Sequence, residues 1–166
     1  DRALLSLIPS FGSAALTLLA FVAALSVIVF VHEYGHYIVG RWSGIHAEVF
    51  SLGFGPVLWS RLDKRGTRWQ LAALPFGGYV KFLGDANAAS GKDAEAIARL
   101  APEDQRHTMH GAPLWARAAT VAAGPAANFL FSTLVFVIFA LAWGVPTSAP
   151  VVGTVKPMPG FAETLR

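Results

Sequence analysis

The feature that most constrains the fold is an uncharged stretch near the beginning of the sequence. Residues 3–31 contain no Asp, Glu, Lys or Arg, and residues 14–31 are nearly all Ala, Leu, Val, Ile and Phe. About 20 apolar helical residues are enough to cross a bilayer. A secretory signal would show a basic region before the apolar run and a small-residue cleavage site, and neither is convincing here. The stretch therefore predicts a transmembrane helix over about residues 14–40.

A second uncharged stretch runs over residues 118–155. Its helical part is predicted over about residues 116–143, because Gly144 and Pro146 would end a helix there. The alternative, a pair of buried core helices in a soluble protein, fits these run lengths poorly. The whole chain is 54% hydrophobic and 14% charged, against about 25% charged residues in an average soluble domain. We therefore expect a mainly α membrane protein with a lipid bilayer as its surroundings.

Other aspects of the composition exclude some classes of function. The net charge of +3 is too small to indicate a nucleic-acid partner, and the absence of cysteine excludes disulfides and thiolate metal sites. Three tryptophans, which favour the lipid headgroup zone, lie near the predicted helix ends: Trp42, Trp115 and Trp143.

The segment between the helices, residues 43–112, differs from them in composition. Residues 50–82 are rich in Gly, aromatic and β-branched residues, and residues 63–66 (Asp-Lys-Arg-Gly) predict a turn between two short strands. This region is predicted to form a β-hairpin or re-entrant loop, followed by a polar surface segment over residues 85–110 with at most a short helix.

Positive charge predicts the orientation in the membrane. Lys and Arg collect in cytoplasmic loops, which would place the middle segment in the cytoplasm and both ends of the chain outside. Ten of the 13 Lys and Arg residues lie in or beside that segment: Arg41, Arg61, Lys64, Arg65, Arg68, Lys81, Lys92, Arg99, Arg106 and Arg117.

The C-terminal part of the first predicted helix contains the pattern His32-Glu33-Tyr34-Gly35-His36. Residues i and i+4 share one helix face, so both imidazoles can bind one Zn²⁺ ion. Glu33 can then act as the general base for water attacking a peptide carbonyl. In a soluble chain a chance pair of histidines would be about equally expected. Three ionisable groups at the end of a membrane segment are costly, which favours function.

The remaining candidate ligands are weaker. The longer motif of soluble zinc proteases requires Gly and His where Val39 and Trp42 stand. Glu48 is a conceivable third ligand, but it lies beside strand-like residues. Three further histidines are predicted to be loop or interface residues: His46, His107 and His110.

Four motifs together resemble the site-2 protease class of intramembrane metalloproteases, specifically the bacterial regulator-of-sigma-E protease type. They are residues 32–36 (HEYGH), 51–56 (SLGFGP), 74–81 (LPFGGYVK) and 123–129 (AGPAANF), and they span most of residues 20–140. The resemblance implies a zinc enzyme of the bacterial inner membrane that cleaves single-pass substrates such as anti-sigma factors, with its active site toward the cytoplasm.

The resemblance also implies roles for further residues. A membrane-associated hairpin and loop would present an edge strand to substrate, and Asn128 would lie near the catalytic centre, with helix contacts as the alternative role. Residues 149–166 resemble the start of a PDZ domain, so that residues 1–143 form the N-terminal half of the protease domain. The substrate-binding residues implied in the hairpin are Gly53, Phe54, Gly55, Gly77, Gly78 and Tyr79.

The family's third zinc ligand is an Asp in an L-D-G motif that this sequence lacks. We therefore expect the chain to be a fragment with an incomplete zinc site. A catalytically silent adaptor that binds clients is the second hypothesis, although His32, Glu33 and His36 are all intact. A metal transporter would need more polar groups within its helices than Thr17, Ser26 and Asn128 provide.

Overall fold

The computed structural model describes the backbone of residues 2–86 and 91–144, with side chains from residue 13 onward in those ranges. Residues 1–134 form one compact unit, and residues 135–166 belong to a second. The predicted PDZ start over residues 149–166 lies outside the described residues. The elements, in chain order, are α1 (Arg2–Trp42), β1 (Ala47–Leu62), β2 (Arg68–Phe82), α2 (Ala94–Ala98), α3 (Pro102–Gln105) and α4 (Leu114–Trp143).

Two of the helices, α1 and α4, are long and apolar enough to cross a membrane, as predicted. In each helix, the most apolar 18 residues include no buried residue. The corresponding residues of a core helix in a soluble protein would be mostly covered by neighbouring elements. Leu19 in α1 and Phe129 in α4, for example, are 65% and 77% exposed. Helix α1 begins at Arg2 rather than near residue 14, because the uncharged sequence upstream continues the same helix.

The strands β1 and β2 form a two-stranded antiparallel sheet whose turn falls at residues 63–66, as predicted. The strands are longer than the short ones expected, with 16 and 15 residues. Register shifts keep the glycine-rich stretches in the sheet, as bulges do. Phe50 pairs with both Val80 and Trp69, so the first half of β1 contacts both halves of β2.

A small aromatic core joins the base of the hairpin to the last turns of α1. Phe50 is 2% exposed and stacks on Trp69 with ring centroids 4.4 Å apart, while Tyr37 of α1 packs edge-on at 5.8 Å from Phe50. Aromatic pairs in these geometries each add about 0.5–1.5 kcal/mol beyond the area they bury. The buried members of the cluster are Tyr37, Ile45, Ala47, Phe50, Val80, Phe82, Met109, Ala112 and Ala116.

Polar contacts fix the same junction. Arg41 donates a hydrogen bond to Thr67 Oγ1 at 3.2 Å and lies 5.7 Å from the centre of the Tyr37 ring. Thr67 in turn donates to the carbonyl oxygen of Ala47 at 2.8 Å. The hairpin is therefore held against the C-terminal end of α1, whose last three turns carry His32, Glu33 and His36.

The polar segment after the hairpin contains two short helices, α2 and α3, where the sequence predicts at most one. Asp93 caps α2 by accepting a hydrogen bond from the backbone N–H of Ala96 at 2.9 Å. The segment returns to the hairpin through a hydrogen bond from the His46 N–H to the His107 carbonyl at 2.9 Å.

Asp63 organises the turn between the strands. Its carboxylate accepts hydrogen bonds from the N–H groups of Arg65 (2.7 Å) and Thr67 (3.0 Å) and from Trp69 Nε1 (3.2 Å). Partial burial acts to raise its pKa, but these hydrogen bonds, together with the Arg41 charge, outweigh burial and hold the pKa below its ordinary value.

Because this pKa is lowered in the folded protein, the stabilisation is fully present above the ordinary carboxyl pKa of 3.8. It is lost as the pH falls through the lower folded value. We expect Asp63→Asn to cost about 1–2 kcal/mol at neutral pH and to remove part of the acid sensitivity below about pH 4. Denaturant unfolding of the detergent-solubilised protein, followed by Trp fluorescence, measures both. Asp93→Asn is the control; unchanged acid sensitivity in Asp63→Asn would contradict the assignment.

Candidate metal and substrate site

Two imidazoles of α1 converge on one point. His32 and His36 are one helical turn apart, and their Nε2 atoms are separated by 3.1 Å. Two nitrogens bound at about 2.0–2.1 Å to one tetrahedral zinc ion lie about 3.3 Å apart. The pair therefore already has nearly the spacing that two ligands of one ion require.

Helix α4 holds the far side of both rings. His36 Nδ1 is 2.8 Å from the carbonyl oxygen of Thr120, and His32 Nδ1 is 3.2 Å from Nδ2 of Asn128. Metal-binding histidines in proteins almost always donate their second ring N–H to an acceptor such as a backbone carbonyl, which fixes the orientation of the ring, and the contact of His36 with Thr120 is of this kind. The two histidines are thus positioned by α4 as well as by their own helix.

Glycine is needed where α1 and α4 approach each other. A Cβ atom at Gly124 would overlap the His36 ring, and one at Gly35 would collide with the Ala123 carbonyl and the Ala127 side chain. Small residues at helix contacts allow this close approach in membranes. The hydrogen bond from His36 to Thr120 depends on it.

Glu33 faces the hairpin rather than α4. A Cβ at Gly78 would lie 3.0 Å from Glu33 Cγ, 3.1 Å from Val29 Cγ1 and 2.8 Å from the Ser51 carbonyl. The backbone of β2 therefore passes directly beside the Glu33 side chain. A larger residue at 78 would push the strand away from the carboxylate.

His32 and Glu33 share a cavity of about 390 Å³ between α1, α4 and the hairpin. Its wall is mostly apolar, which is usual for a ligand site with a few convergent polar groups. It is lined by Ile28, Val29, His32, Glu33, Phe54, Phe76, Gly77, Gly78 and Asn128. A second cavity of about 300 Å³ is also lined by His32 and Asn128, together with Pro125, Phe129 and Ser132.

Most of the residues singled out in the sequence meet here, and three do not. Gly53, at φ +89°, lies against the carbonyls of Ala72 and Leu74, where only glycine fits. Gly55 and Tyr79 do not line the cavity; the Tyr79 ring stacks on Phe54 at 6.1 Å. Gly53, Gly55 and Tyr79 therefore shape the hairpin that carries Phe54.

Three residues of the site were missed in the sequence. The small residues around Gly124 indicate a close helix contact, so this glycine could have been found. Phe76 lies in an aromatic, glycine-rich stretch with no signal of its own. The role of Thr120 rests on its backbone carbonyl, which no sequence pattern reports.

Glu48 lies elsewhere, in an ion pair with Lys81 at 3.0 Å. His107 contacts the Gly44 carbonyl at 2.7 Å, and His110 lies 3.7 Å from buried Asp85. Within residues 13–86 and 91–144 no group of three His, Cys, Asp or Glu side chains could hold a metal. The described residues thus fit zinc as a pair of ligands, short of the three protein ligands that a catalytic site normally has.

Comparison with known proteins decides the family. The model of peptidase family M50 matches residues 20–165. The chain belongs to peptidase family M50. The resemblance to site-2 proteases is therefore confirmed, and zinc is the metal expected in this M50 chain.

Similar proteins carry names that are consistent with this family. The chain is 52% identical over 136 residues to an Agrobacterium fabrum protein named "putative zinc metalloprotease", covering 82% of this chain and 36% of the relative. A Rhizobium meliloti protein of the same description is 51% identical over 141 residues, covering 85% and 38%. The regulator of sigma-E protease of Salmonella typhimurium is 44% identical over 144 residues, covering 84% and 29%. The matched part of the chain thus spans between 29% and 38% of the length of these relatives.

Substitution of Gly124 tests the helix contact that positions His36. We expect Gly124→Ala in the full-length M50 protein to push the ring away from the Thr120 carbonyl and to weaken zinc binding about 10–100-fold. Ala126→Val, at an exposed position of the same helix, is the control and should bind zinc normally. Metal analysis of the purified protein measures both. Full zinc retention in Gly124→Ala would show that the close contact does not position the ligand.

Proposed function

We propose that this chain is the N-terminal half of an intramembrane zinc metalloprotease that hydrolyses peptide bonds of membrane-spanning proteins. One observation carries the proposal: the Nε2 atoms of His32 and His36 lie 3.1 Å apart, and His32 lines a cavity together with Glu33, on a helix apolar enough to cross a membrane. A catalytically silent adaptor is not favoured, because the chain keeps all three residues of the motif, His32, Glu33 and His36.

His32 and His36 would hold the metal through Nε2. A third ligand would come from outside the described residues, and the resemblance suggests an Asp of an L-D-G motif. Zinc, when bound, lowers the pKa of a water molecule to about 7 and polarises a carbonyl group.

Glu33 is the proposed general base. It lines the same cavity as His32, yet it faces the hairpin backbone, so it can reach a water in the cavity without serving as a ligand. Its carboxylate would accept a proton from the water that attacks the peptide carbonyl and deliver that proton to the leaving amine. The apolar side chains of Val29, Phe54 and Phe76 would keep bulk water out.

The hairpin supplies the proposed substrate surface. Gly77 and Gly78 have no side chains, so an extended peptide can approach the backbone of β2 beside Glu33. Strand addition of this kind holds a peptide through main-chain hydrogen bonds. It suits substrates of varied sequence such as single-pass membrane proteins of the anti-sigma-factor type. The name of the Salmonella relative is consistent with that substrate class.

Charge supports a location in the bacterial inner membrane with the site toward the cytoplasm. The histidines lie on the last three turns of α1, close to Arg41 and to the basic middle segment. Under the positive-inside rule, that end of the helix is cytoplasmic and both ends of the chain lie outside. Residues 149–166 would begin a PDZ domain on the outer side.

Replacing the base separates catalysis from metal binding. In the full-length protein we expect Glu33→Gln to lower cleavage of a membrane substrate by at least about 10²-fold while zinc content stays normal. His32→Ala and His36→Ala should lose both. Glu48→Gln is the matched control, since its ion pair with Lys81 lies away from the site. If Glu33→Gln loses zinc together with activity, Glu33 is a ligand and the proposed role is wrong.

Orientation is tested by labelling. The chain contains no cysteine, so single cysteines at Lys64, Lys92 or Lys156 report one position each. A membrane-impermeant thiol reagent should label the first two only after the inner membrane is permeabilised, and Lys156→Cys in intact spheroplasts. The reverse pattern would place the site on the outer side.

A further inference from the structure

The turn of the hairpin carries a concentration of positive charge. Residues 57–69 contain four cationic side chains and one acidic side chain, which gives this stretch a net charge of +3. The polar segment over residues 92–106 contains three cations and four acids, a net charge of −1. The positive charge between the two long helices is therefore localised at the hairpin. The four exposed cations, called the basic turn below, are Arg61, Lys64, Arg65 and Arg68.

The basic turn forms no ion pair with an acidic side chain in the part of the chain that the structure describes. The acid within it, Asp63, accepts hydrogen bonds from the backbone N–H groups of Arg65 and Thr67. In the polar segment, by contrast, Arg99 lies 3.6 Å from Glu95. The side chains of the basic turn are thus available to a negatively charged partner.

Contacts with α1 show how high along the helix the basic turn lies. Thr67 accepts a hydrogen bond from Arg41 at 3.2 Å, and the apolar span of α1 ends one residue later, at Trp42. At the far end of the sheet, a Cβ at Gly78 would lie 3.1 Å from Val29 Cγ1. Val29 precedes Arg41 by twelve residues, which is about 18 Å along a helix. The sheet therefore extends along α1, and the basic turn is level with the end of the span, where the phosphate groups of a bilayer lie.

The exposed side chains of the outer strand change character in the same direction. Leu58 and Trp59, farther from the turn, are apolar and more than half exposed. Arg61 follows, and Leu62 pairs with Arg68 where the strand reaches the turn. Apolar side chains suit acyl chains, Trp favours the headgroup zone, and long cationic side chains place their charge at the phosphate level. An acidic soluble protein would match the cations but not the apolar side chains beside them.

We propose that the basic turn binds the phosphate groups of anionic phospholipids in the leaflet at the C-terminal end of α1. Four or more Lys and Arg residues beside the end of a transmembrane helix are a usual signature of such binding. Each cation close to an anionic membrane strengthens binding about fivefold. The inference goes beyond the proposed protease activity, since it requires only that α1 spans a membrane.

The test is local photo-crosslinking in nanodiscs of equal parts phosphatidylglycerol and phosphatidylcholine. In the full-length protein, Leu62 is replaced by the photoreactive residue benzoylphenylalanine, and the captured lipids are identified by mass spectrometry. Adducts with phosphatidylglycerol should exceed those with phosphatidylcholine at least about fivefold. The combined change Arg61→Gln, Lys64→Gln and Arg65→Gln should bring the two lipids to nearly equal capture.

The matched control removes the same number of charges from the polar segment: Lys92→Gln, Arg99→Gln and Arg106→Gln. It should keep the preference for phosphatidylglycerol. Arg61→Lys with Arg65→Lys should keep it too, because the charge is conserved.

Two further measurements cover misfolding of the neutralised variant and the alternative partner. In the original protein, raised salt should reduce the preference, because it screens exposed charges. In bacterial membranes, the same crosslinker should capture phospholipid. Equal capture of the two lipids by the original protein, equal loss of preference in the control, no effect of salt, or capture of a protein in place of lipid would each overturn the proposal. None of these readouts uses cleavage or zinc, so failure of the proposed function would be seen separately.

Discussion

The site depends above all on the close packing of α1 against α4. Glycine at 35 and 124 lets the two backbones approach, and the approach brings the Thr120 carbonyl within 2.8 Å of His36. In an apolar surrounding a buried polar group needs a partner within the protein, because lipid offers none. The helix contact and the hydrogen bond from His36 to the Thr120 carbonyl therefore stabilise each other.

The hairpin gives the site its second side. Neighbouring residues of a helix point in different directions, so His32 and Glu33 cannot face the same element. His32 contacts Asn128 of helix α4, and the side chain of Glu33 lies beside the backbone of Gly78. The junction of Arg41 with Thr67 and the aromatic core around Phe50 hold the hairpin in that place. The cavity between the two sides is where metal, water and peptide would meet.

Sequence patterns predicted the parts of this arrangement that follow from local chemistry. Long apolar runs predicted both helices, the turn at residues 63–66 was located, and the spacing of His32 and His36 predicted their convergence. The sequence did not predict the full lengths of β1 and β2, because register shifts in the sheet accommodate glycines that would otherwise end a strand. Backbone partners such as the Thr120 carbonyl were also missed, since which carbonyl faces an imidazole depends on helix packing.

Helix geometry and helix packing together bring two candidate zinc ligands to one point. The Nε2 atoms of His32 and His36 lie 3.1 Å apart, near the spacing of two nitrogens bound to one tetrahedral zinc ion. A buried polar group in lipid needs a partner within the protein, because the surroundings offer none. The packing of α4 that orients His36 also supplies this partner, since the Thr120 carbonyl accepts a hydrogen bond from Nδ1.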